Sequence, residues 1–266
     1  MNIREQIDRI KSEGYSEANA EAKLCQDIVL QLISKSSLCR NCTIKGGVVM
    51  RSLSQNTRRA TQDMDIDFIR YSLDEKAIRH FITTLNDLGE ISIKIIGDIE
   101  ELRQQDYHGK RIHIEIEDGM GTKLTSKIDL GVHTKLNIKQ DEYCFDIGFD
   151  DDGASLLINS KEQMLTEKLR SILKFGIFST RFKDIYDMYY LFDKIDKEKF
   201  KLCLDEYIFK DEGMRENSLA DILNRVKKTF TNKRYLEKLA TSKKNWLDIP
   251  NEEVLAGIID KIQSHQ

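Results

Sequence analysis

Apolar residues recur along the chain with two different periods. Between Ser16 and Ser37 they return every three or four residues, which predicts a helix with one buried face. Later they alternate with polar residues, the pattern of a half-buried strand, in three segments: Ile91 to Ile96, Lys110 to Ile116, and Lys123 to Val132. The mixture of the two periods indicates helices packed on a sheet.

Capping and turn residues mark further elements of this first part. Ser72 to Glu75 has the Ser-x-x-Glu form of a capping box and predicts a helix that ends at Gly89. The segment from Asp141 to Leu157 predicts another strand and a turn, and we interpret Asp150 to Gly153 as a tight, solvated acidic loop.

After Ser160 only the helical period is found. Ser160 to Gln163 is a second capping box. The helix that follows has an apolar stripe formed by Leu165, Leu169, Ile172 and Leu173. We therefore expect two domains, residues 1–158 and 159–266. The fold class predicted is α+β, with a mixed sheet flanked by helices followed by a C-terminal helical bundle.

Composition excludes several classes of protein. The net charge of −3 over 266 residues gives no global electrostatic case for nucleic-acid binding, although local basic patches stay possible. Five cysteines, an odd number, argue against a disulfide framework. The sequence contains no apolar run long enough for a membrane helix and begins without an apolar signal region, so we expect a cytoplasmic protein without membrane contact.

Three carboxylates stand close together at Asp63, Asp65 and Asp67. They alternate with apolar residues, so a strand would place all three on one face. Because like charges at this spacing repel one another, a bound cation is the natural compensation. Carboxylate oxygens suit Mg²⁺ or Mn²⁺.

A glycine pair precedes these carboxylates. Leu38 to Ile44 predicts a short strand, and a short helix begins at Gly46 and Gly47. A glycine turn at a helix start presents free N–H groups to an anion, which predicts a phosphate-binding turn. Asp129 lies on a later predicted strand, on the face opposite Ile128 and Leu130.

These residues carry a resemblance to a known family. Lys-Gly-Gly followed by Arg-x-Thr-x-Asp-Met-Asp resembles the nucleotidyltransferase superfamily, in particular the AbiEii type of abortive-infection toxin. The resemblance implies metal binding by Asp63, Asp65 and Asp129. It implies nucleotide binding by Lys45, Gly46, Gly47, Thr61 and Lys168. Asp67 lies two residues after the aspartate pair that matches the family motif, and whether it replaces Asp63 as a metal ligand stays open.

Two motifs of the second domain also match the family. Ser160 to Leu169 contains Glu-Lys-Leu, and Arg181 to Asp187 contains Lys-Asp-x-Tyr-Asp. The resemblance implies that Lys168 contacts the triphosphate, that Asp184 and Asp187 are catalytic, and that this domain completes the active-site cleft. The alternative is ordinary salt bridging of the two aspartates on a helix surface.

The resemblance implies transfer of a nucleoside monophosphate from an NTP, aided by Mg²⁺ or Mn²⁺. Its acceptor would be tRNA, in the context of an abortive-infection toxin with a separately encoded antitoxin, whose direct contact stays open. Basic groups around Lys243, Lys244 and Trp246 are candidates for nucleic-acid contact. Two other interpretations are a small-molecule transferase of the aminoglycoside-modifying kind and a non-catalytic nucleotide-binding protein of the same fold.

Overall fold

The computed structural model describes residues 1–86, 91–102 and 109–265. The chain divides into two compact units, Met1–Asn159 and Ser160–Gln266. Within the described ranges all strands lie in the first unit and the second is helical. The α+β class expected from the periodicity is confirmed.

The first unit is built on one mixed sheet. Its strands are β1 Cys42–Lys45, β2 Met64–Phe68, β3 Ser92–Leu102, β4 Gly109–Glu117, β5 Lys123–Val132, β6 Asp141–Ile147 and β7 Asp150–Ile158. Their order is β3-β4-β5-β2-β1-β7-β6. The β2–β5 and β1–β7 pairs are parallel, and the other pairs are antiparallel. The two strands that carry the predicted metal ligands are therefore neighbours at the centre of the sheet.

Helices cover this sheet. They are α1 Ile3–Ser12, α2 Glu17–Lys35, α3 Gly46–Ser54 and α4 Glu75–Asn86. Helix α2 packs against β5, β6 and β7, and α4 packs against β3. The alternation along β5 places Ile128 and Leu130 in the core, as the sequence predicts.

The second unit contains six α-helices in the described part of the chain. They are α5 Lys161–Phe175, α6 Phe182–Phe192, α7 Lys197–Leu204, α8 Leu219–Phe230, α9 Lys233–Ala240 and α10 Asn251–Ser264. The Ser160 hydroxyl accepts a hydrogen bond from the N–H of Gln163 at 3.2 Å, as expected for the N-cap of α5. The predicted apolar stripe of α5 is buried. None of the helices formed by the described residues is both long and apolar enough to cross a bilayer.

Three local predictions are wrong. Helix α4 is capped by Asp74, whose carboxylate accepts from the N–H of Ala77, while Ser72 donates to Asp74. The first strand begins only at Cys42, because the preceding residues form a turn. Asp150 to Gly153 belongs to β7. The turn that joins β6 to β7 lies just before it, at Gly148 and Phe149. Gly89, the expected end of α4, lies outside the described residues.

Candidate active site

The glycine turn stands directly against the aspartate strand. Gly46 opens α3 with a φ of +66°, and a Cβ atom there would lie 2.3 Å from Oδ2 of Asp65. A Cβ atom on Gly47 would lie 2.5 Å from Oγ1 of Thr61. Only glycine leaves room for this approach. The positive end of α3 is therefore held beside a carboxylate and a hydroxyl from the predicted nucleotide-binding set.

Strand register brings the predicted metal ligands of β2 and β5 together. Asp65 is the direct partner of Asp129 across the parallel β2–β5 pair. On its other side Asp65 is paired with Lys45 across the antiparallel β1–β2 pair. Side chains of paired residues share one face of a sheet, so the two carboxylates and the lysine stand in a row across three strands.

Two of the aspartates on and beside β2 have a lysine partner. Nζ of Lys45 lies 2.7 Å from Oδ1 of Asp67, and both side chains are buried. Nζ of Lys127 lies 2.7 Å from Oδ1 of Asp63, whose side chain is 56% exposed. Asp67 is thus held inside the sheet by a buried ion pair, whereas Asp63 stands at the surface.

Asp129 has an arginine partner that the sequence analysis did not identify. Nε and an Nη atom of Arg111 donate to the two carboxylate oxygens of Asp129 at 2.7 and 2.8 Å. This bidentate pair follows from the register of β4 and β5, which places the two residues opposite each other. The hydrogen bonds to Asp129 raise the pKa of the Arg111 guanidinium, so the arginine stays charged.

Asp65 differs from Asp63, Asp67 and Asp129 in its ion pairing. In the described part of the chain it is the one without an ion-pair partner of its own. Burial raises the pKa of Asp65 to about 6, opposed by Lys45 and reinforced by the charges of Asp129, Asp63 and Asp67. The side chain is partly buried. This carboxylate is therefore the one that gains most from a bound cation.

A buried polar network supports the segment before β2. The side-chain amide of Gln26, on α2, donates to the carbonyl oxygens of Thr61 and Asp63 at 3.0 and 3.3 Å. Arg51, on α3, donates to the Gln26 carbonyl oxygen and lies 3.3 Å from Asp27. All of these helix residues are buried. The network ties α2 and α3 to the loop that carries Thr61 and Asp63.

The sequence analysis missed this network, although a signal existed. Gln26 and Asp27 are adjacent polar residues inside an otherwise apolar stretch of α2. A polar residue on a buried helix face requires a partner, because an unpaired polar group in the core is costly.

The carboxylates meet the chemical requirements of a divalent metal only in part. Asp65 and Asp129 supply hard oxygen donors from adjacent strands, and burial together with the neighbouring carboxylates raises the pKa of Asp65. Among the described residues, however, no three His, Cys, Asp or Glu side chains are already placed to hold one ion. Asp65 and Asp129 fit as a pair of ligands, and Asp63 would join them by exchanging Lys127 for the metal.

The predicted residues of the second unit form a cluster of their own. Nζ of Lys168 lies 2.9 Å from Oδ1 of Asp184 and 2.8 Å from Oδ2 of Asp187. Nε1 of Trp246 donates to the other oxygen of Asp187 at 3.0 Å. Asp187 is 0% exposed. Lys168 is thus a shared partner of both aspartates, a pairing that the sequence analysis did not anticipate.

Trp246 differs from its expected role. It was a candidate for nucleic-acid contact, but its side chain is 3% exposed and packs against Tyr190. Its indole supports Asp187 from within the helical unit. An amphipathic pattern alone could not show this, because Trp246 follows α9 in an irregular segment.

Comparison with protein families gives the decisive observation. A model described as "Nucleotidyl transferase AbiEii toxin, Type IV TA system" matches residues 28–249, which include both groups of candidate residues. The chain belongs to the AbiEii family. It is therefore a nucleotidyltransferase of a toxin family, as the motifs implied. The type IV toxin–antitoxin description of this family also implies a separate antitoxin partner.

Other comparisons add little to the AbiEii assignment. No curated protein matches this chain in sequence. Among solved structures, an antigenic nucleotidyltransferase-like protein from Paracoccidioides brasiliensis is similar, with 17% identity, a TM-score of 0.48, and coverage of 85% of this chain and 94% of that one.

Proposed function

We propose that this AbiEii chain transfers a nucleoside monophosphate from an NTP to an RNA acceptor, tRNA in the first place. The proposal includes dependence on Mg²⁺ or Mn²⁺ and a role as the cytoplasmic toxin of an abortive-infection pair. The observation that carries it is Asp65, a carboxylate that has no ion-pair partner of its own among the described residues, in register with Asp129 and in contact range of the Gly46 turn.

The start of α3 is suited to the phosphates of the nucleotide. The backbone N–H groups of its first turn point away from the helix and can donate to an anion. Lys45, which occupies the N-cap position, does not cap the helix with its side chain. Gly46 and Gly47 bind the phosphates through the backbone, and Thr61 adds a hydroxyl beside Gly47.

Asp65, Asp129 and Asp63 are the residues that would hold the divalent ion. When bound, such an ion supplies Lewis-acid stabilisation to phosphoryl oxygens and positive charge among the carboxylates. Arg111 orients Asp129 through its two hydrogen bonds. Gln26 fixes the loop that carries Asp63, so the spacing of the carboxylates is set before the nucleotide binds.

Lys168 is the residue of the second unit that the proposal assigns to the nucleotide. Two carboxylates hold its ammonium group and restrict its rotamers. In the proposal Lys168 contacts the nucleotide, and Asp184 and Asp187 position it.

The test is transfer of label from each of four α-³²P nucleoside triphosphates to total tRNA, with Mg²⁺ or Mn²⁺. Asp65→Ala should reduce labelling at least about a thousandfold, because it removes an electrostatic contact of the reacting group. The matched control is Asp152→Ala, which removes an exposed carboxylate of β7 and should leave labelling unchanged.

The pattern of label decides the acceptor class. Label on tRNA that disappears with Asp65→Ala supports the proposal and identifies the nucleotide. Label on the protein itself or on a small cationic compound, but not on tRNA, would overturn the RNA acceptor. Absence of transfer to every acceptor would contradict catalysis at this site.

A further inference from the structure

The connection between α5 and α6 exposes two phenylalanines. Phe175 is 45% exposed and Phe178 is 69% exposed, and Phe178 ends the short 3₁₀ turn, Gly176–Phe178, that begins directly after Phe175. Singly exposed apolar residues are common, but two aromatic rings on one turn offer a surface for stacking. The two rings supply the aromatic half of a mixed aromatic and basic surface.

Basic groups form the other half. Arg225, on α8, reaches the same turn: a Cβ atom on Gly176 would lie 3.7 Å from an Nη atom of its guanidinium. Nε of Arg225 is buried and has no hydrogen-bond partner in the described part of the chain. The residue as a whole is half-buried, so the rest of its guanidinium can still bind an anion.

Beside Arg225 lies a cavity with an excess of positive charge. It has a volume of about 170 Å³, and its charged lining residues are Lys174, Arg215, Arg225 and Glu216. Three cations against one carboxylate leave a local excess of positive charge, in a chain with a net charge of −3. Such a site favours a phosphate group.

This surface lies on the same helix as Lys168. Phe175 follows Lys168 by seven residues on α5, so the two share one helix face about 10 Å apart along the axis. The aromatic and basic surface is therefore about two helical turns from the Lys168 cluster, within the same unit.

We propose that this surface, defined by Lys174, Phe175, Phe178, Arg215 and Arg225, binds the RNA acceptor. A backbone phosphate occupies the basic cavity, and an unpaired base stacks on Phe178. RNA offers both phosphate groups and bases, so one ligand can occupy the basic and the aromatic half of this surface. The choice of RNA rests on the proposed function, while the surface itself does not include any residue of the aspartate site.

The experiment measures binding of a fluorescein-labelled tRNA transcript by anisotropy, without NTP, over a range of salt concentrations. Phe178→Ala should weaken binding about five- to a hundredfold and leave the salt dependence unchanged, because it removes stacking. Arg225→Gln should weaken binding and also reduce the slope of log affinity against log salt by about 0.7 to 0.9, the value for one lost phosphate contact. Arg225→Lys should restore the slope.

Matched controls come from α7. Leu202→Ala removes an exposed apolar side chain, and Lys201→Gln removes an exposed cation, both in the same unit. Neither should change tRNA binding. The fluorescence of Trp246, the single tryptophan, verifies that each variant keeps the fold of the second unit.

The outcomes separate this inference from the proposed function. Equal tRNA affinity in the wild type, Phe178→Ala and Arg225→Gln would overturn the surface alone, and is the result expected if it serves a protein partner instead. Lost binding in both variants, together with no label transfer in the earlier assay, would support the surface and contradict the transferase proposal. No tRNA binding by the wild type would overturn both.

Discussion

The two groups of charged residues in this AbiEii chain use the same residue types with opposite results. In the second unit one lysine serves two aspartates, and the indole of Trp246 completes the hydrogen bonding of Asp187. In the first unit three cations each take one aspartate, and Asp65 is left with a raised pKa.

This difference separates carboxylates that are already paired from one that a bound cation would stabilise. A buried carboxylate that has its hydrogen bonds and its cation gains nothing from a ligand. A carboxylate that burial and neighbouring charges destabilise lowers its free energy when a cation arrives. Four substitutions or additions test the contrast, from the largest expected effect to the smallest.

Lys168→Met should destabilise the second unit by about 3–5 kcal/mol, because it leaves the fully buried Asp187 without its cation. Urea unfolding followed by Trp246 fluorescence reports on this unit specifically. Lys201→Met, which breaks only an exposed pair with Glu198, is the control and should shift the free energy of unfolding by less than about 1 kcal/mol. Equal stability of the two variants would show that the cluster is not structural.

Trp246→Phe should destabilise the same unit by about 1.5–3 kcal/mol, the range for a hydrogen bond to a charged group. Phenylalanine is also smaller than tryptophan, so a cavity cost adds to that of the lost N–H. Because the variant lacks tryptophan, far-UV circular dichroism follows the unfolding. A loss of stability no larger than that caused by substitution of an exposed aromatic residue would contradict the role assigned to the indole.

Asp65→Asn should have the opposite effect and increase the free energy of unfolding of the first unit in the absence of divalent ions. In the native protein Asp65 keeps its proton up to about pH 6, whereas the unfolded chain releases it near 3.8. Unfolding of the wild type therefore becomes more favourable as the pH rises between these values, and the cost persists above them. The partly exposed site reduces the effect to about 1–2 kcal/mol at pH 7.

The pH dependence is the control for this variant. The melting temperatures of the wild type and Asp65→Asn, measured in EDTA, should differ at pH 7 and become equal near pH 4. A neutral variant that is less stable than the wild type at pH 7 would show that Asp65 is already compensated in the native state.

Divalent ions should raise the stability of the wild type by about 1 kcal/mol at a concentration five times the dissociation constant. The same addition to Asp65→Asn should have no effect, because the ligand is missing. Thermal unfolding with MgCl₂ or MnCl₂, compared with NaCl of equal ionic strength, measures this stabilisation. Equal increases in the melting temperatures of the wild type and Asp65→Asn would show that the ion binds at a site that does not include Asp65.

Local patterns in the sequence were sufficient for most elements of the fold. The period of the apolar residues identified α2, β5 and the stripe of α5, and the change of period fell at the start of α5. The Asp63–Asp65 pair could be named because its motif is short and local, whereas the metal role of Asp129 was implied by the family resemblance. Where two local signals competed, as between Ser72 and Asp74 for the cap of α4, the prediction was wrong.

Only the tertiary structure decided how the charges are paired. Lys45 with Asp67 and Arg111 with Asp129 depend on strand register, and Lys168 with Asp187 depends on the packing of α5 against α6. The contacts of Gln26 join a helix to a distant loop. The period of a sequence specifies which face of an element is buried, but not which residue of another element faces it. The isolation of Asp65 is a property of that long-range pairing, so it could be seen only after the chain was folded.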